Sequence, residues 1–370
     1  MKRSTLFALA AVGLAVAVLI FLLWPRSEVT PQADAAGSRL PAKPREMQLR
    51  NVVTHEEPKP TAALDGGTAG HGETAKGKTV LQGSWGSGAG QFARRRDPES
   101  NPEGPMAMLA GAGGELTIVD QINRRVQRFK DGKVIGSIAI GGDTVQDVAA
   151  AEGGKTVLLD RLADRNVQVY DRDGKLLNEV PVVGKNVTEG GAVTGVFADD
   201  KGIYVEREHA TLVRVADAAG KADPERTEMA GRPSRDGRML IAASINGADR
   251  STGELTVQAF DRSGHALWQQ RISLGAPIIH LLMLDSDRSG QIYVGGATGR
   301  ESPEPPYQIV DEVIAVARLT PGGHPSGSLA LPAFPTPDET FRPMSVDDDG
   351  NVYLMVIEAG GLRVLRFSFP

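Results

Sequence analysis

The chain has 370 residues, 24% of them charged, with a net charge of -5, 44 glycines and no cysteine. That composition describes a loop-rich globular protein and excludes a disulfide framework, thiolate metal sites and a cysteine nucleophile. The mild acidity argues against a nucleic-acid partner, because phosphate binding needs a basic surface field.

Lys2 and Arg3 precede an uninterrupted uncharged run over 6–24, followed by Pro25 and Arg26. At about 1.5 Å per residue such a run spans roughly the hydrocarbon core of a bilayer. The flanking charges predict a cytoplasmic N-terminus over 1–5, a signal-anchor over 6–24 and everything beyond on the far side of the membrane. A cleaved signal peptide is the competing reading. Its best small-residue site, Ala33 to Ala35, lies about ten residues past the run. The expected location is the inner (cytoplasmic) membrane of a bacterium, single-pass, with a periplasmic C-terminal domain.

Residues 25–77 show no sustained apolar periodicity and carry Pro25, Pro31, Pro41, Pro44, Pro58 and Pro60. They read as a disordered linker. Its end, Gly72 to Thr79, matches the phosphate-loop pattern G-x-x-x-x-G-K-[ST]. The chemistry of that loop needs a preceding strand and a following helix, and neither is predicted here. ATP is therefore not expected as a ligand, and no cofactor is predicted.

From 78 onward one strand-and-turn pattern recurs. Its copies begin at Val126, Val167, Leu212, Val257, Val316 and Val364. The spacings are about 41, 45, 45, 59 and 48 residues, the range of propeller blades. Alternating apolar residues mark half-buried strands, and Asp/Gly/Lys tails mark hairpin turns. A second strand precedes most copies, as at Glu115–Asp120, Lys155–Asp160, Gly202–Glu206, Gln291–Val294 and Asn351–Leu354. An innermost strand lies upstream at Val193–Asp199, His280–Asp285 and Met344–Asp347. The sixth copy ends at Pro370, so its blade lacks a fourth strand. Thr79 to Trp85 is predicted to fill that place and close the ring. Residues 222–238 must hold two strands and fit the pattern poorly. The predicted fold is an all-β, six-bladed β-propeller over 78–370.

Trp85 to Phe92, Pro102 to Gly104, Gly114 to Asp120 and Asn123 to Phe129 together resemble one full NHL repeat. Asp160, Asp164, Arg165 and Val167 to Tyr170 resemble a second; the later blades are degenerate. A segment over 93–101, with Arg94, Arg95 and Arg96, departs from the pattern as an insertion. The resemblance implies a propeller with a binding role; a minority of such relatives are metal-dependent lyases or lactonase-like enzymes. It also implies that Asp120 and Asp160, with Arg124, Arg125 and Arg165, mainly pin the turns between second and third strands.

Long loops on a rigid scaffold concentrate binding residues. Two are expected here: 244–253, with Asn246, and 295–309, with Arg300, Glu301 and Tyr307. Asp285–Gly290 and Asp347–Gly350 start like calcium loops but lack the later ligands, so they read as hairpin turns. His280 opens an innermost strand and is the best candidate for a metal ligand or catalytic base; no histidine pair has metal-ligand spacing. The expected function is a membrane-tethered scaffold binding a protein, peptide or cell-wall polymer. The alternative is a propeller enzyme, lactonase- or lyase-like, with a divalent metal in its central channel.

Overall fold

The computed structural model describes residues 74–370 apart from Asn246. The expected N-terminus, the anchor over 6–24 and the linker up to residue 73 lie outside the described residues, as does Asn246. No helix among the described residues is long and apolar enough to cross a membrane.

Six four-stranded antiparallel sheets form the blades of a β-propeller. From the inside outward, blade one is Ala107–Ala110, Leu116–Asp120, Arg125–Lys130 and Lys133–Ala139. Blade two is Asp147–Ala151, Lys155–Asp160, Asn166–Tyr170 and Leu176–Pro181. Blade three is Val193–Ala198, Ile203–Arg207, Thr211–Ala216 and Glu228–Met229; blade four is Arg232–Pro233, Leu240–Ser244, Glu254–Phe260 and Ala266–Ser273. Blade five is Ile278–Ser286, Ile292–Glu301, Ile309–Leu319 and Pro325–Pro332. Blade six takes Met344–Val346, Val352–Glu358 and Gly361–Phe367, and its outer strand is Lys78–Ser84 from the other end of the domain.

Second strands are apolar on both faces because each blade is sandwiched between two others. Lys155–Asp160 and Val352–Glu358 are buried almost throughout. Between blades two and three, Val157, Leu159, Val169, Val196, Val205 and Val213 pack into one cluster. Each such side chain contributes about 1.5–3 kcal/mol by leaving water. Outer strands such as Leu176–Pro181 are largely exposed.

The acidic tails are turn devices. Asp171 Oδ1 accepts the amides of Asp173 and Lys175 at 3.0 and 2.8 Å, and Gly174 supplies the left-handed φ of 85° that the turn requires. Asp287 and Asp347 cap their turns in the same way, through the amides of Ser289 and Gln291 and of Asp349 and Asn351. Both calcium-like segments are thus hairpins between first and second strands.

Closure follows the predicted route. Leu81 pairs with Val364 and Gln82 with Arg363 in antiparallel register. Lys78 and Thr79 therefore belong to a strand rather than to a helix start. A Cβ on Gly77 would lie 2.6 Å from the Phe367 ring, so this glycine permits close packing.

Two expectations need correction. Most of the predicted loop over 295–309 is strand: Ile292–Glu301 pairs with Ile309–Leu319, leaving a short turn. Its glycines signal close approach, not a break. A Cβ on Gly299 would sit 2.8 Å from Ile309 Cγ2, and one on Gly296 would sit 3.1 Å from the His280 carbonyl. The segment over 244–253 contains a short helix, Gly247–Thr252. Residues 222–238 do hold two strands, each two residues long. Pro233 has no amide to extend the ladder, which accounts for the poor pattern.

Candidate functional site

Inner strands begin on one face of the disc, and the turns between second and third strands lie on that same face. Below this face the central channel is filled by arginines. Arg342, just ahead of blade six, donates to Asp147 Oδ2 at 2.6 Å on blade two and to the Val196 carbonyl at 3.1 Å on blade three. From blade four, Arg235 reaches the Ala110 carbonyl of blade one at 2.9 Å and Asp348 of blade six at 3.2 Å. Arg232 holds Glu206 by two hydrogen bonds of 2.6 and 2.9 Å. The Phe197 ring lies between Arg232 and Arg342, 4.8 and 4.9 Å from their guanidinium carbons. Residues from opposite sides of the ring therefore meet across the channel.

These charges depend on one another. Burial pushes the Asp147 carboxyl up, while Arg342 and the amides of Val196 and Val148 pull the other way. Burial also opposes ionisation of Glu206, but Arg232, His209 and Thr194 outweigh it and hold the carboxyl far below its ordinary range.

On the face where the inner strands begin lies a pocket of about 880 Å³. Its wall comes from the approaches to the inner strands of blades one, two and six, from the second-to-third-strand turns of blades one and two, and from the inner and third strands of blade five. Phe341 and Pro343, the neighbours of Arg342, line it, as do Gln121, Arg161, His280 and Glu312. The inserted segment over 93–101 helps to build the rim. Arg94 grips Asp338 with bonds of 2.7 and 2.8 Å, and Arg95 bridges Glu103 and Asp143 at 2.7 and 3.0 Å.

His280 is the sequence-predicted residue that lines this pocket. Desolvation lowers its pKa, Arg250 adds to that effect, and Glu312 opposes it. Arg125 anchors a loop: it pairs with Asp120 at 2.8 Å and donates to the carbonyls of Ser87, Gly88 and Gln91. Arg124 and Arg165 occupy equivalent left-handed positions, each with φ 53°, and both are exposed on the same face outside the pocket. Arg300 pairs with Asp311 at 2.6 Å on the blade-five hairpin. Glu301 and Tyr307 are exposed near its tip, Tyr307 by 55%, beside exposed Ile309 and Val310.

Arg161 and Gln121 were not singled out by sequence reasoning, although a signal existed. Each directly follows the second-strand aspartate of its blade, Asp160 or Asp120, and so enters the pocket from an equivalent place in the repeat. Among the described residues no group of three or more His, Asp or Glu side chains is arranged to hold a metal ion. The channel carboxylates Asp147 and Glu206 are engaged by arginine instead.

No family profile and no curated protein sequence matches the chain. Among solved structures it is similar to a selenomethionine-substituted virginiamycin B lyase from Staphylococcus aureus. That likeness has a TM-score of 0.41 and 13% identity, covering 71% of this chain and 83% of the other.

Proposed function

We propose that this chain is an NHL-type propeller acting as a binding scaffold, with a protein, peptide or cell-envelope polymer as its partner. In this reading the run over 6–24 anchors it in the inner membrane and the segment over 25–77 tethers the propeller outside the cytoplasm. The observation that carries the binding role is the pocket of about 880 Å³ built by segments from four blades. A concave, partly apolar site with a few oriented polar groups suits recognition. The blade-five hairpin adds exposed Tyr307, Ile309 and Val310 beside it.

Photo-crosslinking tests this assignment. A photoreactive residue replaces Thr340 at the pocket or Leu177 on the outer edge of blade two, in the full-length chain in native membranes. A partner adduct from position 340 that is absent from position 177 is the expected result. Equal adducts from both positions, or none from position 340, overturn the assignment.

A further inference from the structure

In a ring of six, blades two and five stand opposite each other, and they give the pocket opposite charges. Blade two contributes Arg161. Its Nη1 donates to the carbonyls of Gly191 and Val193, both at 3.0 Å, and the Phe341 ring lies 5.1 Å from its guanidinium carbon. These contacts position the cation without neutralising it. Among the described residues no carboxylate pairs with Arg161, and its buried Nε has no acceptor. Burial alone lowers its pKa.

Of the carboxylates that line the pocket, three are engaged by arginines other than Arg161, while Glu339 is exposed and pairs with no cation among the described residues. Arg94 holds Asp338, and Arg95 holds Glu103 and Asp143. Glu312 lies on the blade-five side beside His280. An unneutralised, partly desolvated guanidinium facing a cavity favours an anion that can reach its open nitrogen, and a carboxylate is such an anion.

Gln121 supplies a second, independent observation. It is 1% exposed and lines the same pocket. Its Nε2 donates to the Gly104 carbonyl at 2.7 Å, which fixes the amide orientation and leaves the buried Oε1 without a donor. A buried acceptor in that state is stabilised by an incoming N–H.

Building on the binding role proposed above, we infer that the pocket recognises a peptide carboxylate. Arg161 binds the anion through Nη2, the guanidinium nitrogen that is neither buried nor bonded to a protein acceptor, and Gln121 Oε1 accepts an amide N–H of the same ligand. A free C-terminus presents both groups together; an aspartate side chain next to a backbone amide is the other source of this chemistry.

The test uses the full-length chain in detergent micelles and three N-acetylated tripeptide libraries. One has free C-termini, one is C-terminally amidated, and one is amidated with aspartate at its centre. Retention is read by equilibrium dialysis and mass spectrometry. The free-acid library should be retained at least about tenfold more than the plain amidated one. Arg161→Gln should abolish the difference, and Gln121→Leu should reduce retention. Because Arg161 also ties two carbonyls, Arg161→Lys serves as a second variant. It keeps the charge but lacks the planar guanidinium, and should lose most of the preference while the melting temperature stays within the wild-type range. Retention of the aspartate library alone supports the carboxylate site and assigns the source to a side chain. Equal retention of the free-acid and plain amidated libraries, abolished by Thr340→Trp, overturns the carboxylate site while the pocket remains a binding site. Retention of no library overturns both.

Discussion

Arg342 and Asp147 sit 195 positions apart in the chain, yet meet at 2.6 Å across the channel, where Asp147 is fully buried. Removing the cation leaves an uncompensated charge in a low-dielectric site. Arg342→Met should therefore cost about 3–5 kcal/mol in urea denaturation, and the added change Asp147→Asn should restore a large part of it. The direction with pH follows from the raised carboxyl. A raised acid contributes stability below its unfolded pKa of about 3.9, and that contribution is lost as pH rises through the folded value. Loss of Arg342 raises the carboxyl further. The deficit of Arg342→Met should thus shrink as pH falls from 7.5 towards 5; a constant deficit would count against this account.

Glu206 behaves in the opposite sense. Arg232 overcomes its burial, so its depressed carboxyl contributes stability above the unfolded pKa of about 4.3 and loses it as pH falls through the folded value. Glu206→Gln should lower stability at pH 7, and its stability should then vary less with pH below about 4.5 than that of wild type. Parallel denaturation curves down to the acid transition check this.

Three tyrosines clasp the turns between first and second strands. Tyr204, Tyr293 and Tyr353 donate to Asp199, Asp287 and Asp347 at 2.9, 2.8 and 2.9 Å. Burial and then the nearby carboxylate push the Tyr353 hydroxyl up to about 12, and Tyr204 and Tyr293 are raised further by the same causes. A raised tyrosine contributes stability below its unfolded pKa of about 10 and loses it as pH rises towards the folded value. Tyr353→Phe should cost about 1.5–3 kcal/mol at neutral pH, and its alkaline decline should be shallower than that of wild type. Tyrosinate absorbance should appear together with unfolding for these three residues. Ionisation in the folded state near pH 10 would contradict the clasp.

The same tyrosines show why the fold was legible. In Gly202–Tyr204, Gln291–Tyr293 and Asn351–Tyr353 the turn residue, the strand start and the clasp are local in sequence. Repetition turned that local pattern into a blade count. The channel was not legible, because Arg342 finds Asp147 and Val196 only once distant inner strands converge. The pocket was half legible. His280 could be placed at the start of an inner strand, whereas Arg161 matters through the absence of a paired carboxylate, which spacing does not reveal. The glycines over 295–299 misled for a related reason: their small size serves close packing, against Ile309 across the strand pair and against Leu274 of the neighbouring blade four.

Ring closure gives the most direct test of the architecture. Lys78–Ser84 covers the edge of Gly361–Phe367, with Leu81 buried in the core beside Phe92, Met355 and Val364. Gln82, one residue on, is exposed. Leu81→Ala should cost about 2–5 kcal/mol, because it removes buried methyl groups and leaves a cavity. Gln82→Ala should change stability by no more than about 0.5 kcal/mol. Deleting 74–84 would uncover a full strand edge, so the truncated chain should associate in solution. Denaturant midpoints and light scattering read these outcomes. Similar midpoints for the two alanine variants, or a truncated chain that remains monomeric and as stable as the parent, would show that this strand does not close the ring.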